Sequence, residues 1–197
     1  LLPEGKKVLH GIDQSDSITF DAHKWLSVPM GAGMYLTRHP EILSETCRIT
    51  ADYMPKEGAG LDFVDPYSHS MQWSRRFIGL KLFLTLACSG WKGYEDTIRH
   101  QWKLGDLLRN ELETNGWKIV NDTPLPTICF IDASRSEGTN PEWINTLLQR
   151  VLASGKAWIS MIRMPDQSAA LRACITNFRT TDKDVTALVE LLNDCRK

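Results

Sequence analysis

Asp21-Ala22-His23-Lys24 brings an acid, an imidazole and an amine together within four residues. The residues before them, Ser17 to Phe20, include β-branched Ile18 and Thr19 and read as a strand that runs into the acid. Just past the C-terminal end of a strand is where an α/β enzyme gathers its ligand groups. An amine held there beside an imidazole is placed to act as a reactive lysine. It can form a Schiff base with a carbonyl once it is partly deprotonated, a state that burial and nearby cations favour. Lys24 is the candidate. A lone lysine after a strand is more often a surface residue, so the rest of the chain has to support it.

The elements that must position this amine follow in order. Gly31 to Thr37 reads as a second strand, close enough to the first for an antiparallel edge pair or neighbours in a mixed sheet. His39-Pro40-Glu41 opens a helix through about Arg48. Residues 51 to 72 hold Pro55, Gly58, Gly60 and Pro66 and no sustained period, which suits an active-site flap. Ser74 is the expected N-cap of a long helix in which Phe77, Leu80, Leu84 and Ala87 form one apolar face. Gly90 breaks that run, and a second helix from about Tyr94 to Glu113 closes at Asn115-Gly116.

The last third alternates in the order ββαββα. The expected strands are Trp117 to Val120, Thr127 to Ile131, Ala157 to Arg163 and Leu171 to Thr176. The helices start at Asn140-Pro141 and at Thr181-Asp182. Two pieces result: residues 1–88, α/β but short of strands for a parallel sheet, and residues 89–197, a complete small α+β domain. The first piece is expected to belong with a segment upstream of residue 1.

Composition narrows the class. A 42% hydrophobic, 24% charged chain of 197 residues is ordinary for a globular protein. A net charge of −1 gives no field for nucleic acid or an anionic membrane. The seven tryptophans are scattered and read as packing, not as a base-stacking platform. The most apolar stretch, Leu82 to Ala87, is too short to span a bilayer, and the first seven residues lack the pattern of a signal peptide. Five dispersed cysteines with no CxxC pair and no histidine at ligand spacing point to reduced thiols in a cytoplasmic protein, with no metal site. His10, His39, His69 and His100 read as surface residues.

Four stretches together resemble one family: DSITFDAHKWLSVP, then Ala51-Asp52-Tyr53-Met54, then WSRRFIGLKLFLTLACSGWKGY, then LRACITNFRTTDKDV. In that order and approximate spacing, over essentially the whole chain, they resemble the C-terminal half of the group II amino-acid decarboxylases dependent on pyridoxal phosphate (PLP), which include the aromatic-L-amino-acid, glutamate and histidine decarboxylases. The resemblance implies fold type I, with the end of the large mixed-sheet domain followed by a small α+β domain. It implies PLP as cofactor, an amino-acid substrate, a homodimer, and decarboxylation of an L-amino acid to the amine and CO2.

It also implies roles residue by residue. Lys24 matches the Schiff-base lysine and His23 the histidine that contacts the cofactor phosphate through an N–H donor. Asp21 stands where many members have Asn, near the phosphate end; a direct contact, a water-mediated one and a structural role are all open there. Tyr53 matches a tyrosine on a mobile loop that returns a proton to Cα once CO2 has left, where a Phe would suggest oxidative aldehyde formation. Arg172 matches an arginine that pairs with the substrate carboxylate in glutamate decarboxylases, with Arg179 a weaker candidate. Arg75 and Arg76 read as helix-start ion pairs or dimer contacts. The aspartate on the pyridine nitrogen and the histidine on the cofactor ring lie upstream of residue 1 in the family. The competing expectations are an aldehyde synthase or other fold-type I lyase, and a fragment inactive on its own.

Overall fold

A computed structural model describes residues 2–49 and 65–197. The chain divides into two compact units, Leu1–Trp91 and Lys92–Lys197.

In the first unit, helix α1 (Pro3–Val8) leads to strand β1 (Ser17–Asp21), which pairs antiparallel with β2 (Gly33–Thr37) in the register Ser17↔Thr37 to Asp21↔Gly33. Helix α2 covers Ile42–Cys47, and a single 3-10 turn covers Pro66–His69. The apolar packing is slight. Ala22, Val28 and Ala32 are buried, with Phe20, Leu26, Met34, Ile78 and Leu82 against them.

Helix α3 (Ile78–Thr114) is interrupted at Gly90, whose backbone stands at φ 63°, ψ 172°. Its start corrects the expectation at Ser74. Residues 74–77 are non-helical, and the helix begins at Ile78 with no Ser74 cap. The expected apolar face is also corrected. Phe77 is 77% exposed and Leu80 and Leu84 are exposed too, while Ile78 and Leu82, one turn apart, make the packed face. The 3.6-residue period found apolar residues, but this helix carries them on two stripes.

The second unit has the expected ββαββα order: β3 (Trp117–Ile119), β4 (Thr127–Asp132), α4 (Pro141–Ala153), β5 (Ser160–Arg163), β6 (Ala169–Cys174) and α5 (Asp182–Cys195). The strands form one antiparallel sheet in the order β3-β4-β6-β5. Period 2 gives the sheet its inner face, with Ile128 and Phe130 on β4 and Leu171 and Ala173 on β6. Leu104, Leu108 and Leu112, four apart on α3, complete one core with Ile144, Leu147 and Val151 of α4 and Val185, Val189 and Leu192 of α5.

Caps set the helix starts. Asn140 Oδ1 accepts from the amides of Glu142 and Trp143, with Pro141 at the first turn. The Asp184 carboxylate accepts from the Thr181 amide and hydroxyl, 2.8 Å each. Asp132, fully buried at the end of β4, accepts from the Ser134 amide and hydroxyl and lies 3.6 Å from both Arg135 and Arg196. A Cβ at Gly138 would stand 1.9 Å from Asp132 O, so the loop after β4 closes on a residue without a side chain.

Candidate active site

Lys24 sits in a tight turn directly after β1. Strand β1 ends there because the backbone turns on itself: the Lys24 amide donates to Asp21 O at 3.0 Å and the Ser27 amide to Lys24 O at 3.1 Å. Val28 N–H then returns to Ala22 O at 3.2 Å, closing a loop whose small residues, Ala22 and Ala32, let the chain pack on itself. Ser27 occupies the left-handed region at φ 54°, a strained position for a non-glycine residue. Gly31 occupies it at φ 86°, as a glycine does without strain.

The Lys24 side chain is 66% exposed, and its Nζ lies 2.5 Å from Asp21 Oδ2. The neighbour the structure gives this amine is therefore a carboxylate, not a cation. The hydrogen bond from Lys24 holds the Asp21 carboxyl below its ordinary value. His23, half-buried, accepts at Nδ1 the amide hydrogen of Ala32 at 3.2 Å. A backbone N–H only donates, so in the neutral ring the proton lies on Nε2.

A cavity of about 900 Å³ opens beside this loop. Ala22, Ala32 and Met34 line it with Tyr67, Trp73 and Leu82. A second, of about 470 Å³, is lined by Met30, Gly31, Gln72, Ser74, Arg75, Arg76, Ile78 and Lys81, with no carboxylate among them. Arg75 and Arg76 are exposed and make no ion pair among the described residues.

Asp21, His23 and Lys24 thus lie together in the first unit. Arg172 lies in the second, on β6 opposite Cys129 and Ser160, on the sheet face away from the core. Arg179 packs over its neighbour Phe178. Tyr53 lies outside the described residues, as does the flap up to residue 64. Sequence reasoning missed Lys81, whose Nζ donates to Met30 O at 2.9 Å. The LK of the third motif was its only local signal. His39 is exposed at the surface, where it meets Asp16 at 3.0 Å, a partner that the sequence did not reveal.

The first unit thus carries an amine and an oriented imidazole in the turn after a strand. Residues 1–132 match the pyridoxal-dependent decarboxylase conserved domain, and the chain belongs to that family. An aromatic-L-amino-acid decarboxylase of Bacillus atrophaeus is 27% identical over 195 residues, covering 96% of this chain and 40% of the relative. A 4-hydroxyphenylacetaldehyde synthase of Rhodiola rosea is 25% identical over 197 residues, covering 98% of this chain and 39% of the relative. The crystal structure of Oryza sativa TDC with PLP and tryptamine superposes with a TM-score of 0.84 at 20% identity, over 98% of this chain and 41% of that one, which establishes the fold as type I. The chain therefore spans about 40% of the length of these curated relatives. Among the described residues, no helix is long and apolar enough to cross a membrane.

Proposed function

We propose that the protein to which this chain belongs removes the α-carboxyl of an L-amino acid as CO2 and releases the amine, with PLP held at Lys24. The observation that carries the proposal is the turn after β1, where an exposed amine stands beside an imidazole whose Nδ1 is already occupied. The donor set fits the cofactor. Its aldehyde needs a free amine, and its phosphate needs N–H donors with little opposing charge. The neighbouring acid, Asp21, is paired with Lys24.

Bound PLP supplies a pyridine ring that takes up the electron pair released when the bond from Cα to the carboxylate breaks. Lys24 supplies the tethering amine, and Asp21 Oδ2 orients its Nζ in the free protein. Asp21, which the family resemblance sets near the phosphate end, would position Lys24 through their ion pair. His23 presents Nε2–H to a phosphate oxygen, a charge-assisted hydrogen bond. Tyr53 delivers a proton from its Oη to Cα after CO2 departs. The fork of Arg172 holds a substrate carboxylate. The proposal includes a homodimer, from the family resemblance, and a cytoplasmic location, from five scattered cysteines of which none is disulfide-bonded.

Replacing Lys24 with Ala in the full-length protein tests the core of this proposal. Loss of the visible cofactor absorbance and of turnover is expected; retention of both rules out Lys24. The Rhodiola rosea relative keeps a second reading in play, oxidative conversion to the aldehyde. Tyr at position 53 favours the amine. In Tyr53→Phe the amine yield should fall and aldehyde should appear, and unchanged amine with no aldehyde removes Tyr53 from its role. Whether residues 1–197 alone take up PLP is read from a yellow colour fixed by borohydride.

A further inference from the structure

The loop that carries His23 and Lys24 reverses direction with almost no side-chain support at its far corner. Met30 is 78% exposed, and among the described residues nothing lies within 4 Å of the place where a Cβ on Gly31 would stand. Sterics do not fix that corner, and glycine is the residue least able to fix it by itself. Two hydrogen bonds do. On one side of Gly31, the carbonyl of Met30 accepts from Lys81 Nζ at 2.9 Å. On the other, the amide of Ala32 donates to His23 Nδ1 at 3.2 Å. The two bonds use the adjacent peptides that flank Gly31.

Lys81 is well placed to act as an anchor. Ile78 and Leu82, three residues before it and one after, pack against Ala22, Val28 and Ala32, so the same face of the helix grips the same loop. Arg75 and Arg76 are its charged neighbours in the adjoining cavity, and among the described residues that line it there is no carboxylate to draw the ammonium away from Met30. A charged donor to a carbonyl is stronger than a neutral one.

We infer that Lys81 is a positioning residue for the Lys24 turn: its ammonium, through the Met30 carbonyl, holds the Ala32 amide on His23 Nδ1 and keeps the imidazole in the Nε2–H form. The consequence for cofactor retention rests on the proposed PLP role; the tautomer of His23 does not. Lys81 touches neither substrate nor cofactor in this scheme.

The test reads the ring-nitrogen shifts of His23 in full-length protein before PLP is added, at about pH 8, where an ordinary imidazole is neutral. Wild type and Lys81→Arg are expected to show protonated Nε2 and bare Nδ1. Lys81→Met keeps the apolar stem but loses the donor, and is expected to show a mixture of the two tautomers. After loading, PLP should dissociate from Lys81→Met faster by on the order of tenfold, the usual weight of one charge-assisted hydrogen bond, with Lys81→Arg restoring the wild-type rate. If Lys81→Met does not fold, Lys81→Leu, which also lacks a donor, is read in the same way. An unchanged Nε2–H tautomer in whichever neutral variant folds overturns the inference, even if that variant melts earlier. Failure of the decarboxylase proposal would look different: Lys24→Ala would keep its visible absorbance while the His23 result stood.

Discussion

The two units differ in how they hold their shape. In Lys92–Lys197, α3, α4 and α5 cover one face of the sheet, and Leu108, Leu112, Phe130, Ile144, Leu147 and Leu171 have no exposed surface. In Leu1–Trp91 the buried apolar cluster is Ala22, Val28 and Ala32, while Met71 is 92% exposed, Phe77 77% and Phe83 65%. Among its described residues the first unit has little apolar packing. Backbone bonds, the Lys24–Asp21 pair and the Lys81–Met30 bond define its turn. The comparison teaches that, among the described residues, the amine is borne by the unit with the smaller buried cluster.

The largest effect that would break this comparison concerns folding of the separate units. Residues 92–197 expressed alone should unfold in one cooperative thermal transition by circular dichroism, and residues 1–91 alone should show none. A cooperative transition in the latter would mean that its hydrogen bonds suffice. Next is Phe130→Ala, expected to destabilise the 197-residue chain by about 3–5 kcal/mol in urea titration. Phe83→Ser, a loss of comparable size at an exposed site, should change it by less than about 0.5 kcal/mol. Asp132→Ala should cost about 2–3 kcal/mol, because it strands the arginines that face a fully buried carboxylate; the half-exposed Arg135 keeps the figure below that of a sealed pair.

The smallest effect is one of pH. The hydrogen bond to His39 lowers the Asp16 carboxyl, and that from Thr181 lowers Asp184. A lowered folded-state value contributes stability above the unfolded value, and this is lost as pH falls through the folded one. Melting temperature should therefore decline on acidification below the ordinary carboxylate range. Asp184→Asn should flatten that decline in the second unit's transition, and Asp16→Asn should leave that transition unmoved.

Much of the second unit was legible in the sequence, because its signals are local. Asn140-Pro141 and Thr181-Asp182-Lys183-Asp184 announce helix starts within one turn, and the short apolar run of TICFI after Pro124 and Pro126 announces a strand. The β1–β2 pair and the turn bearing Lys24 were legible for the same reason. What escaped depended on distance along the chain. Lys81 is 51 residues from Met30, Asp16 is 23 from His39, and Arg196 lies far from Asp132. No periodicity encodes such pairs. The start of α3 was misread because Ser74 is a fair cap in isolation, whereas the packing of Ile78 and Leu82 on the loop selects a later first turn.

The glycine that closes the loop after β4 has a practical consequence. Any other residue at position 138 would drive its first carbon into the Asp132 carbonyl. In a pooled library of single substitutions scored only for cellular abundance, position 138 should be among the most depleted of the second unit, with Gly138→Ala as harsh as bulkier changes. Such a variant makes a conditional allele: the protein should accumulate in the cold and be cleared by proteolysis when warmed, with Lys24 and its neighbours left chemically intact.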